Sequence, residues 1–243
     1  MKTIIPGLFT FTGLLIGRVY ALEDEDGLTL IDAGIARSAA IILRQLAAAG
    51  RAPSDVKRIL ITHAHFDHVG GLPALKKATG ARVFCSTLER PVTEGRAPVQ
   101  RPSRDTLKGF SRLFWSEGAP VPGTPVDGEI NDGAVLDEVF GGLHVIETPG
   151  HSPGHISFWQ PERRVLIVGD VVWNTPRLRL PMAAFTVDMG ANLRSMGKLA
   201  ALDAAIICFG HGDPLIADAA AKLRAFATKV NAPLPTSFNQ NEA

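Results

Sequence analysis

His63-Ala64-His65-Phe66-Asp67-His68 comes directly after the apolar run Arg58-Ile59-Leu60-Ile61. The run has the length and composition of a buried strand, and the histidines begin where that strand should stop. Neutral imidazole and carboxylate are the side chains that hold zinc or iron, and four of them in a loop at a strand end can point into one cavity. The chain has seven histidines, and three of them stand in this hexapeptide. That concentration favours a metal site over a polar loop with incidental histidines.

Three more ligand-type residues follow, each where an apolar strand runs out. His151 comes after Leu143-His144-Val145-Ile146-Glu147-Thr148-Pro149-Gly150. Asp170 closes Arg164-Val165-Leu166-Ile167-Val168-Gly169, and His211 follows Ala205-Ile206-Ile207-Cys208-Phe209-Gly210. Strand ends that deliver side chains into glycine-containing loops suit a site carried on a rigid sheet. Five histidines and two aspartates are enough for two metal ions.

These pieces in this order (HAHFDH at 63–68, HSPGH at 151–155, the aspartate of VGD at 170 and the histidine of FGHGD at 211) resemble the metallo-β-lactamase superfamily. The resemblance is to its glyoxalase II-like and lactonase-like hydrolases above all. It spans nearly the whole chain, because Gly27-Leu28-Thr29-Leu30-Ile31-Asp32-Ala33-Gly34 also looks like the family's early strand-and-turn motif. What it implies is an α+β fold, a four-layer αββα sandwich with the metals at one edge between the sheets. His63, His65 and His151 would then hold one ion, Asp67, His68 and His211 the other, and Asp170 would bridge the two. The resemblance also implies that Asp32 supports the histidine loop through hydrogen bonds without binding metal. The Thr62 hydroxyl is read the same way.

With 243 residues, 46% of them apolar, the chain can bury one good-sized core or two small ones. No linker divides it, so residues 1–243 are read as one domain, with a frayed polar tail from about 231. A formal charge of +1 argues against a general nucleic-acid or membrane-surface binder. A small molecule is the expected partner, and the oligomeric state stays open, a homodimer included. Cys85 and Cys208 both lie in apolar, strand-like stretches and are read as buried free thiols, which fits a reducing cytoplasm.

Lys2 and the apolar residues up to Ile16 could pass for a secretory signal, but Pro6, Gly7, Gly13 and Gly17 interrupt them. They are read as opening strands, followed by a hairpin turn at Glu23-Asp24-Glu25-Asp26-Gly27. No segment is long and apolar enough to span a membrane. Helices are expected at 38–49, 71–78, 192–201 and 218–228, with strands at 82–85 and 156–160.

The stretch from Glu89 to Gly128 exceeds a minimal sandwich. Its six prolines forbid a long regular element. Leu107, Phe110 and Phe114 recur at helical spacing, which predicts a short helix from about Ser103 to Trp115 with Arg104, Lys108 and Arg112 along one stripe. An amphipathic surface helix is one reading. The other is a cap whose Phe110, Phe114 and Trp115 face substrate, with Arg104 or Arg112 near the mouth.

Other conspicuous residues take plainer readings. His155 is assigned to structural hydrogen bonding, since seven ligands already fill a two-metal site, and His144 to the surface. Gly150, Gly169 and Gly210 each precede a ligand and suit tight turns rather than phosphate cradles.

The expected chemistry follows from the ligand set. Two divalent ions roughly 3.5–4 Å apart bridge a water and lower its pKa toward neutrality, so that hydroxide can attack a carbonyl carbon. Zinc is the expected metal, with iron or manganese as alternatives. Asp67 and Asp170 are the expected catalytic carboxylates, with Asp67 able to pass a proton onward. The expected activity is dinuclear metal-dependent hydrolysis of an ester, thioester or lactone. Only 32 residues follow His211, too few for the glutathione-binding region of glyoxalase II, and Trp173 stands where quorum-signal lactonases carry tyrosine. The competing class is an iron-dependent persulfide dioxygenase, which also retains HxHxDH. Asp170 disfavours a β-lactamase, His65 a diiron flavoprotein, and the charge a nuclease.

Overall fold

The computed structural model describes residues 1–234. Seven strands form the first sheet in chain order: β1 (Lys2–Ile5), β2 (Leu8–Thr10), β3 (Tyr20–Asp24), β4 (Gly27–Ile31), β5 (Val56–Leu60), β6 (Arg82–Cys85) and β7 (Gly128–Glu129). Neighbours from β1 to β4 are antiparallel, and those from β4 to β7 are parallel. Parallel pairing demands crossovers. Helix α1 (Ser38–Ala48) joins β4 to β5, and α2 (Phe66–Val69) with α3 (Leu72–Thr79) joins β5 to β6. A short α4 (Arg90–Thr93) opens the long excursion between β6 and β7.

The second sheet uses β8 (Val135–Leu136), β9 (Leu143–Glu147), β10 (Ile156–Gln160) and β11 (Val165–Ile167). A small hairpin, β12 (Trp173–Asn174) with β13 (Leu178–Arg179), and helix α5 (Met189–Ala200) lead to the strand β14 (Ile206–Cys208). β14 pairs parallel with β11 at the opposite edge from β8, and α6 (Ala219–Lys229) follows.

Period-two alternation along the strands sets the layering. Tyr20, Leu22, Ile31 and Leu60 face Phe158, Val165, Ile167 and Cys208 in a core between the sheets. Their neighbours Ala21, Leu30 and Ile59 point the other way, against Ile42 and Leu46 of α1 and Leu72 and Leu75 of α3. Ile146, Leu166 and Ile207 do the same on the second sheet, against Met196 and Leu199 of α5 and Leu223 of α6. Three cores therefore separate four layers, helix–sheet–sheet–helix. Truncating a fully buried member such as Leu166 to Ala would cost about 2–5 kcal/mol.

The expected αββα sandwich is present, and so are the opening strands and the buried free thiols. Helix α5 begins three residues before the expected Asn192, because the Asp188 side chain accepts from Ala191 N at 2.9 Å and caps it. The expected helix from Ser103 to Trp115 does not form. Arg104–Thr106 and Gly109–Phe114 are separate 3-10 turns, broken by extended Leu107 and Lys108 and by Gly109 at φ 54°. Arg104, Lys108 and Arg112 thus share no helical stripe. His144 is half-buried rather than on the surface. The expected frayed tail is also corrected at its start. Ala232 is buried against the second outer core, and its N–H bonds to Ala227 O at 2.9 Å. The remainder of that tail, 235–243, lies outside the described residues. No helix among the described residues is long and apolar enough to cross a membrane.

Candidate metal centre

The strand ends anticipated in the sequence converge. β5 runs out at Leu60, and Thr62 is caught by Asp32, whose carboxylate accepts from Thr62 N at 2.8 Å and from its hydroxyl at 2.9 Å. Asp32 sits at φ 64°, in the left-handed region that aspartate tolerates better than most side chains. Its Oδ2 also lies 2.8 Å from His68 Nδ1, leaving Nε2 to face the site. Its expected supporting role has this geometric basis. His65 starts the α2 turn in extended conformation, and the turn presents Asp67 and His68 toward the same point.

His151 arrives on the loop after β9, its Nδ1 3.2 Å from Thr186 Oγ1 and its Nε2 2.9 Å from His65 Nδ1. Asp170 comes from the loop after β11 and lies in the middle. Its oxygens stand 3.5 Å from His68 Nε2, 3.4 Å from His151 Nε2 and 3.1 Å from His211 Nε2. Asp67 Oδ2 is 3.2 Å from His211 Nε2. All seven expected residues are brought together. They form three groups able to hold a cation: His63, His65 and His151; His63, His68 and Asp170; Asp67, His68 and His211.

Two glycines make the convergence possible. A Cβ on Gly210 would lie 1.9 Å from Asp170 Oδ1. One on Gly169, at φ +53°, would lie 2.5 Å from His155 Nε2. Both are close approaches that any side chain would block.

Within this cluster, four buried atoms have no hydrogen-bond partner among the described residues: Nε2 of His63, His65 and His68, and Oδ1 of Asp170. Buried polar atoms are normally paired, and an orphaned set of this chemistry, nitrogen and carboxylate oxygen pointing inward, fits a divalent metal. His155 is different. Its Nε2 accepts from Asp170 N at 3.0 Å and its Nδ1 lies 2.8 Å from Thr148 Oγ1, so both nitrogens are occupied. Burial holds its pKa down to about 3, consistent with the neutral tautomer that those bonds require. The structural role expected for it is what the geometry shows.

Electrostatics divides the cluster. Burial drives His63 and His151 well below the ordinary imidazole value and takes His65 to about 3. Burial also opposes charge on His68 and His211, but Asp170 beside both, with Asp32 and Asp67 beside His68 and Asp67 beside His211, outweighs it. His68 is raised well above its ordinary value, and His211 to about 9. Burial would raise Asp170, yet His211 and His68 hold it well below the usual carboxylate range.

One residue of the site was not anticipated. Glu89, 4% exposed, accepts from Ala64 N at 2.8 Å, Ser152 Oγ at 2.6 Å and Gly154 N at 3.0 Å. It ties the loop of His63 and His65 to the loop of His151. No motif marks a lone glutamate of this kind.

A cavity of about 310 Å³ opens over the cluster, a size suited to a small molecule. His65, Asp67, His151, Asp170 and His211 form its floor, and Ile16, Phe66, Trp173, Phe185 and Arg101 its walls. The expected roof is corrected here. Phe110 and Phe114 are 72% and 44% exposed and pack edge-to-face on each other, and neither they nor Trp115, Arg104 or Arg112 line the cavity. Arg101 supplies the basic group instead, and Phe185, just before α5, an aromatic wall.

A helix–sheet–sheet–helix sandwich with a histidine and aspartate centre between the sheet edges defines a class of metal-centred αββα proteins. The chain belongs to the metallo-β-lactamase superfamily, whose sequence profile matches residues 12–211. It is 29% identical over 223 residues to the probable metallo-hydrolase YflN of Bacillus subtilis, covering 82% of each chain. A hydroxyacylglutathione hydrolase of Ectopseudomonas mendocina is 36% identical over 116 residues, covering 47% of this chain and 32% of that one. Among solved structures, a metallo-beta-lactamase family protein from Thermus thermophilus superposes with a TM-score of 0.70 at 28% identity, over 95% of this chain and 81% of its own.

Proposed function

We propose that the chain, as one domain, is a dinuclear metal-dependent hydrolase acting on an ester, thioester or lactone, with zinc as the metal and iron or manganese as alternatives. The observation that carries this reading is the position of Asp170. One carboxylate stands within 3.5 Å of imidazole nitrogens from His68, His151 and His211, between an all-imidazole group and a carboxylate-bearing one. His63, His65 and His151 would hold one cation, Asp67, His68 and His211 the other, and Asp170 both. When bound, such a pair supplies a water acidified toward neutral pH and a Lewis acid for the carbonyl oxygen.

The chain's own residues do the rest. Trp173 and Phe185 flank the space where an acyl group would lie and exclude water from one side of it. Asp67 borders the cavity with a carboxylate able to take a proton and pass it to the leaving group. A cysteine nucleophile is a poor alternative, since burial pushes the Cys85 thiol up to about 12 and Cys208 higher still.

Metal analysis with parallel assays on p-nitrophenyl esters, lactones and glutathione persulfide tests the reading. The expected result is close to two ions per chain and hydrolysis of an ester or lactone. One iron per chain, with Asp67 and His211 unligated and oxygen consumed on the persulfide, would establish the dioxygenase instead.

A further inference from the structure

The cavity holds a cation that nothing in the described chain neutralises. Of the segment's other arginines, Arg90 pairs with Glu94 and Glu129, Arg96 with Glu94 and Arg112 with Asp105, while Arg104 lies over the Trp115 ring and outside the cavity. Arg101 makes no ion pair among the described residues, and its Nε is buried without an acceptor. Burial opposes its charge, and only the more distant Asp67 favours it. Arginine does not escape such a position by losing its proton, and the half-buried guanidinium gains a counter-charge when an anion enters the cavity.

The side chain is also held in place. Its guanidinium lies over the Phe185 ring, 4.8 Å from the centroid. On one side Val99 N donates to Ala119 O at 3.2 Å, and on the other Trp115 Nε1 donates to Pro102 O at 2.8 Å. A Cβ on Gly118 would meet Val99 O at 1.7 Å, so the two arms of the segment touch just before Arg101. The excursion between β6 and β7 acts as a brace for one residue. The charge it presents is felt at His65 and Asp67 on the cavity floor. Trp173 offers a second buried donor without a partner, its indole N–H.

We infer that Arg101 is the counter-charge for a carboxylate on the substrate. Resting on the hydrolase reading above, the inference makes the compound cleaved an anionic ester, thioester or lactone, with the carboxylate a few bonds from the scissile carbonyl and an apolar stretch along Phe185 between them. The planar fork of arginine suits a carboxylate, binding it through two parallel hydrogen bonds.

The test uses the metal-loaded protein and a near-isosteric pair, the mono-p-nitrophenyl ester of glutarate and its terminal carboxamide. Wild type should favour the carboxylate in kcat/KM by about 30-fold, Arg101→Met should bring that ratio close to one, and Arg101→Lys should recover part of it. Calorimetric titration with 5-oxohexanoate and its amide, which have no scissile bond, should show the same Arg101-dependent preference in Kd. A ratio near one in wild type, or a preference unchanged in Arg101→Met, would overturn the inference while leaving the hydrolase standing. Failure to hydrolyse either ester, with the calorimetric preference intact, would sink the hydrolase reading and support the anion site.

Discussion

Two halves of the candidate metal centre share one hexapeptide yet are built on opposite electrostatic terms. His63, His65 and His151 form an all-imidazole group in which burial dominates, so all three are neutral at pH 7 before any metal arrives. Asp67, His68 and His211 sit among carboxylates that override burial and keep the two imidazoles protonated. The same side chain thus meets a cation in two states, ready in one half and proton-blocked in the other. Metal must expel protons only in the second.

Asp170→Ala attacks the contrast at its hinge, since that carboxylate touches both halves. Elemental analysis should show loss of the paired site, with two like charges no longer screened, and ester hydrolysis should fall by more than about 100-fold, beyond what losing an outer partner costs. Circular dichroism should remain that of the folded chain. Two ions and near-normal turnover would contradict the bridging role.

Asp32→Asn should act on one half alone. It removes the carboxylate behind His68 and should weaken that ion by about 10–100-fold, with the all-imidazole half unchanged in competition titrations. Glu89→Gln is the converse, loosening the loops of His63, His65 and His151. It leaves one of three donors poorly paired, so stability should drop by about 1–3 kcal/mol and the first ion should bind more weakly. A fall confined to the second ion would show the halves to be mechanically coupled.

The charge contrast predicts a pH signature. Metal affinity of the second half should rise with pH up to about 9, where His211 loses its proton, while the first half is flat across the same range. In the metal-free protein the sign follows from the raised value. The His211 contribution to stability is full below the unfolded imidazole pKa of about 6.5 and is lost as pH climbs through about 9. Melting curves across that window and calorimetry in buffers of different ionisation enthalpy measure both effects. The smallest change in metal content is expected for His155→Ala, which should melt lower yet keep two ions, and metal loss there would make His155 a ligand.

Both halves were easier to read from sequence than what surrounds them. The seven candidate ligand residues were legible because they follow apolar strands, and a strand end fixes where a side chain arrives. The four layers were legible through alternation such as Val165-Leu166-Ile167, whose faces part to different cores. Glu89 was not, because its partners Ala64, Ser152 and Gly154 meet it only after two distant loops have folded together. Arg101 was one basic residue among six between Arg90 and Arg112, and what distinguishes it is a place on the cavity wall with no ion-pair partner among the described residues. Spacing in the 103–115 stretch suggested a helix, but periodicity of three apolar residues does not outweigh a glycine in the left-handed region at 109. Phe185 lies in a loop without any motif.

Tyr20 has a consequence for how the molecule opens. Its hydroxyl, on β3, donates to Phe209 O at 2.7 Å and accepts from Phe209 N at 3.1 Å, and Arg18 N bonds Gly210 O at 2.7 Å. The N-terminal sheet therefore latches the loop that delivers His211, two residues beyond Phe209. Amide hydrogen exchange at Phe209 should need the two sheets to part, so its protection should approach that of global unfolding rather than of local loop fraying. Release of His211 from a bound ion would in this way be gated by a phenol nearly two hundred residues upstream, and replacing Tyr20 by Phe should speed exchange and metal escape together.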